Sequence, residues 1–185
     1  LVHAQDQLAM TLYKRGDYLG ALDKLNTALE SCLNGSVGRL PYYILQSHKA
    51  TVLSAMGSHQ YSLETLQGYI PSLNSAKKNP LGDLELIETG KIVSHLLVIS
   101  FHNLSVQLAH LKRCKEAFET TAHVLSLVES GLHPAQPIRR HFVHAHSASL
   151  RVGKAGCSAP QSYSLQEADY EDPEGQSARK SMEQR

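Results

Sequence analysis

The chain has 185 residues, of which 42% are hydrophobic and 19% charged, enough for one or two domains with a packed core. Its formal net charge of +1 gives no reason for bulk attraction to nucleic acid or to an anionic membrane surface. Cys32, Cys114 and Cys157 are too far apart and too few for a disulfide framework. They read as two small buried residues and one tail thiol in a reducing compartment.

The first segment, residues 4–29, places small residues at Ala9, Ala21 and Ala28 and large apolar ones at Leu8, Leu12, Leu22, Leu25 and Leu29. Arg15-Gly16-Asp17 divides them. Two helices in close contact need alanines where their backbones approach, leucines to fill the gaps and a glycine to reverse the chain. The segment resembles a tetratricopeptide repeat (TPR), a helix–turn–helix unit of about 34 residues. Leu8-Ala9-x-x-Leu12 and Ala21-x-x-x-Leu25 stand in the signature slots, with Gln5 where the family often has tryptophan.

A second unit follows. Pro41 suits a first helical turn, because its missing N–H is no loss there. Ile44, Leu45, Ala50, Val52, Leu53 and Met56 form an apolar face that ends at Gly57, and Leu63, Leu66, Tyr69 and Ile70 supply the partner helix. Gly16 and Gly57 stand 41 residues apart, as do Ala9 and Ala50, so two markers share one spacing. The polar stretch from Asn34 to Arg39 accommodates the excess over the family's length. Asn74 to Gly82 reads as a loop broken by Pro80 and Gly82.

A long helix is then expected from Asp83, its N-cap, to Leu111. Its run from Ile92 to Leu111 is the most apolar in the chain. It carries His95, Ser100, His102, Asn103 and His110, so it reads as a buried helix and not a membrane span. Phe101-His-Asn-Leu104-Ser105-Val-Gln-Leu108 repeats the signature with Phe101 in the tryptophan slot, and Ala117, Phe118, Ala122, Leu125, Leu127 and Val128 form its partner. Ala50 and Ser105 are 55 residues apart, which makes the array irregular. Ile138–Leu150 reads as a capping helix. From Gly153 onward Gly, Ser, Pro, Gln and Glu dominate, a composition that cannot bury enough apolar surface to fold. The expected organisation is an all-α, TPR-like domain of antiparallel helix pairs over 1–152, with a disordered tail over 153–185. The chain opens at Leu1 with no signal-like run, and an upstream extension stays open.

Little points to chemistry. Among eleven histidines, His141, His144 and His146 cluster best, yet no Cys or carboxylate lies near them and Arg139, Arg140 and Arg151 would repel a cation. They read as a basic surface patch that gains charge below neutral pH. No metal, cofactor or catalytic residue is expected, since phosphate loops, GxSxG elbows and HExxH pairs are all absent.

The family resemblance implies a concave surface lined by the first helix of each pair. Carried over by position, the lining is Asp6, Met10, Tyr13 and Lys14, then Ser47, Thr51 and Ser54, then His102, Val106 and His110. Lys14 is the one Lys or Arg in that set, which speaks against the family's carboxylate clamp. The resemblance implies a non-enzymatic scaffold that holds a protein partner, with neither nucleic acid nor membrane involved, in the cytoplasm. The alternative is a structural part of a cytoskeletal or ciliary (axonemal) assembly, which the Phe101–Lys112 stretch resembles.

Overall fold

The computed structural model describes residues 1–34, 38–78 and 86–128. Among these residues the fold is all helical and has no strand. The helices are α1 (Val2–Lys14), α2 (Tyr18–Asn34), α3 (Arg39–Ala55), α4 (His59–Lys78), α5 (Leu86–His110) and α6 (Cys114–Leu127). Each packs on the next in sequence, and α3 also touches both α1 and α5. The expected capping helix at 138–150, the domain boundary at 152 and the tail at 153–185 lie outside the described residues, as does the expected cap at Asp83.

Three short turns join α1 to α2, α3 to α4 and α5 to α6, and all three have the same construction. In the first, the N–H of Asp17 donates to the carbonyl of Leu12 and that of Gly16 to Tyr13. In the second, Ser58 donates to Leu53 and Gly57 to Ser54. In the third, Arg113 donates to Leu108 and Lys112 to Ala109. This pair of bonds is the Schellman closure, which satisfies the last helical carbonyls and requires a left-handed residue just past the helix. Gly16 (φ 82°), Gly57 (φ 74°) and Lys112 (φ 62°) are those residues. Two glycines meet the requirement without strain, and a lysine meets it with strain. Asp17 also starts α2, its Oδ1 accepting the N–H of Gly20 at 2.9 Å.

Small residues repeat in step with the turns. Ala9 and Ala21 are both fully buried in one cluster with Leu25, Ala28, Leu29, Cys32, Leu45 and Val52. At the corresponding place in the second pair, Ser62 is fully buried and its hydroxyl donates to the Ala50 carbonyl across the helix contact at 2.7 Å. Ser105 and Ala117, both buried, hold the same places in the third. The apolar interior is a succession of small clusters. After the first comes Tyr43, Ala50, Leu66, Tyr69, Ile70, Leu73, Val93, Leu96 and Leu97 between α3, α4 and α5. Leu63, Leu108, Ala109 and Ala117 follow at the turn end, and Val98, Val124 and Val128 between α5 and α6.

Two expectations need correction. Residues Asn74–Lys78 are helical, not loop, since α4 continues past Pro71. Leu73 is fully buried and Ala76 half-buried against the α3–α5 cluster, and that packing carries the helix through the proline. Leu8 is 47% exposed, because it lies outside the clusters that α1 forms with α2 and α3. The apolar stretch Gly90–His110 is long and apolar enough to cross a membrane by length and composition, and here its most apolar 18-residue window is 78% buried inside the protein.

Candidate functional site

The first helices of the pairs, α1, α3 and α5, carry nearly all the buried polar side chains of the described residues, and α3 touches both α1 and α5. Of the buried polar side chains, Asp6, Ser47, His48, Thr51, Ser94, Ser100, His102, Asn103, Ser105 and Gln107 all belong to these three helices. At one end, Asp6 Oδ1 and His48 Nδ1 lie 2.7 Å apart with both side chains at most 9% exposed. Nδ1 donates in this bond because the carboxylate can only accept. The Nε2 of His48 is buried without a hydrogen-bond partner among the described residues. In the middle, the Tyr69 hydroxyl and Ser100 Oγ lie 2.6 Å apart, and Ser100 also donates to the Leu96 carbonyl. Burial pushes the Tyr69 phenol up to about 12, against the opposing pull of its hydrogen bond to Ser100.

At the turn end, Gln107 Nε2 donates to Ser54 Oγ at 3.0 Å, and its Oε1 accepts from His59 Nδ1 at 2.9 Å. His59 stacks on His110 with ring centroids 3.9 Å apart and planes 6° from parallel. Burial, then the facing His59, then Lys112 lower the His110 pKa below its ordinary value.

The ten residues expected to line a groove divide sharply. Asp6, Met10, Ser47, Thr51, His102 and Val106 are buried, at 6% exposure or less. Tyr13 and Ser54 are half-buried, the Tyr13 ring 5.8 Å from that of Tyr18, while Lys14 and His110 are exposed. Of the buried six, Asp6 is spent on a neighbouring first helix through its bond to His48, so it stands inside a helix contact and not on a solvent face. Lys14, Ala55 and His110 are the last residues of α1, α3 and α5, and all three are exposed. With Tyr13 and His59 they form the rim at the turn end of the first helices.

Sequence reasoning missed the two bonds of Gln107 and the histidine stack. His59 and Gln107 are 48 residues apart, and no local pattern links them. Cys32 is buried as expected and burial raises its thiol pKa, whereas Cys114 is exposed at the start of α6. Among the described residues no three of His, Cys, Asp and Glu converge as metal ligands. His141, His144 and His146 lie outside those residues. A cleft of about 530 Å³ opens at the other end of the helices, walled by Val2, His3, Asp6, Pro41, Ile44 and Leu45. No family model, curated protein or solved structure matches the chain.

Proposed function

We propose that the chain is a TPR-like array of antiparallel helix pairs and works as a non-enzymatic scaffold that binds a protein partner. What carries the reading is the threefold recurrence of one turn, with its left-handed residue at 16, 57 and 112 and its small residues at Ala9/Ala21, Ala50/Ser62 and Ser105/Ala117. A unit that recurs in this way stacks on its neighbours to bury what it cannot bury alone, and the resulting rows of equivalent residues suit an extended partner. The contacts of α3 with both α1 and α5 support the same reading.

Within the scaffold, the rim of Tyr13, Lys14, Ala55, His59 and His110 is the proposed contact surface. Tyr13 presents a ring and a hydroxyl, and Lys14 a charge beside it, a combination enriched where interfaces concentrate their energy. In capture from a cell lysate by the immobilised chain, Tyr13→Ala should weaken binding by about 1–3 kcal/mol with helicity unchanged. Retained capture would remove the rim from the proposal.

A second reading, a structural part of a larger cytoskeletal or ciliary assembly, draws support from the opposite helices. Leu19 and Leu33 on α2, Tyr61 on α4 and Phe118 on α6 are 73%, 74%, 67% and 54% exposed. The most exposed of the helices' large apolar residues stand on the second helix of each pair, above Leu8 on α1 and Ile92 on α5, a distribution that suits lateral packing. Leu33→Ser with Tyr61→Ser would abolish capture under this reading and leave it intact under the first.

A further inference from the structure

We propose that the His59–His110 stack is a proton-operated latch that fixes the second helix pair against the third. His59 is the first residue of α4 and His110 the last of α5, so the stack bridges two helix ends that no backbone bond connects. Behind it, the Gln107 amide ties the same helices to the last turn of α3 through Ser54. Gln107 is fully buried, which makes any movement of His59 a movement of a bond that water does not replace cheaply.

Two neutral imidazoles stack face to face at 3.9 Å, whereas two imidazolium rings at that distance repel. The neighbouring side chains give a second proton no counter-charge. Lys112, in the turn after α5, adds positive charge beside His110. Arg113 and Glu116 at the start of α6 are closed on each other by two hydrogen bonds. Glu64 on α4 is engaged by Gln60, and the last turn of α3, Thr51 to Ala55, carries no charge. Among the described residues, neither ring has an ion pair with a carboxylate.

The sign follows from His110. Its proton affinity in the folded chain lies below the ordinary value of 6.5, so the opened form binds the proton more tightly. The latch therefore holds above about pH 6.5 and weakens as pH falls toward the folded-state pKa. Each unit by which that pKa lies below 6.5 permits about a tenfold rise in opening.

Amide hydrogen exchange on the full chain at pH 7.5, 6.5 and 5.5, corrected for intrinsic rates, tests the latch. Protection over residues 58–66 and 104–113 should fall by several-fold to tenfold across that range, while residues 12–21, which contain no histidine, keep theirs. The double variant His59→Phe/His110→Phe retains two flat rings without a titratable nitrogen and should lose the pH dependence. An equal response in residues 12–21, or an unchanged response in the double variant, overturns the proposal. If the double variant does not fold at pH 7.5, the His110 C2-proton titration of the unmodified chain decides. A midpoint below 6.5 supports the latch, and one at or above 6.5 overturns it.

Discussion

Lys112 occupies a backbone position that its side chain disfavours, and replacing it with glycine should stabilise the protein. At φ 62° an L-residue brings Cβ against the following carbonyl, at a cost of roughly 1–2 kcal/mol. Glycine removes that cost but loses more conformational freedom on folding, which offsets about 0.5–1 kcal/mol. The net expectation for Lys112→Gly is a gain of about 0.5–1 kcal/mol. The same reasoning runs backwards at the other two turns. A Cβ added at Gly16 or Gly57 meets nothing within 4 Å, so Gly16→Ala and Gly57→Ala isolate the backbone term, and each should cost about 1 kcal/mol. Urea unfolding reads all three as shifts in midpoint at constant slope. Lys112→Ala, which keeps a Cβ, should leave the midpoint nearly unchanged. If Lys112→Gly destabilises as much as the two alanine variants do, the third turn is not equivalent to the others and the repeat reading loses its main support.

Ala21→Leu should overpack the α1–α2 contact and cost about 1–3 kcal/mol, against less than about 0.5 kcal/mol for Ser75→Leu on the exposed face of α4, both by urea unfolding. Asp6→Ala leaves the Nδ1–H of His48 without its acceptor inside the α1–α3 contact and should cost about 1–3 kcal/mol in the same assay, while Asp6→Leu/His48→Leu should recover most of it. A double variant no better than the single would mean the apolar pair does not fit. For Tyr69, whose pKa is raised to about 12, the folded state favours the protonated phenol. That contribution is complete below pH 10 and is lost as pH climbs from 10 to 12. Stability should therefore fall by roughly 2–3 kcal/mol over that window, and Tyr69→Phe should flatten the profile.

The helices were legible because each leaves a local mark. Gly16 and Gly57 announced two turns, the alanines the close contacts, and Pro41 a helix start. The third turn left no such mark, because Lys112 fills the place of a glycine and its strain is invisible in sequence. The end of α4 was misread for the converse reason, since the polar run from Asn74 toward the breakers Pro80 and Gly82 signals a loop, and the burial of Leu73 carries the helix on to Lys78. The site was less legible than the fold. Ser47, Thr51 and His102 are polar on amphipathic helices and read as solvent-facing, yet all three are buried. Polarity tells a residue's need for partners, not whether water or another helix supplies them. Asp6 finds its partner 42 residues away in His48, a pairing that no window along the chain contains.

The rim can be tested directly by placing a photo-crosslinking amino acid at position 13 and, separately, at position 61, and irradiating each chain in cell lysate. The scaffold reading predicts a discrete adduct from position 13, lost when excess unmodified chain is added and absent from position 61. Adducts from position 61 alone would contradict it and move the working surface to the second helices.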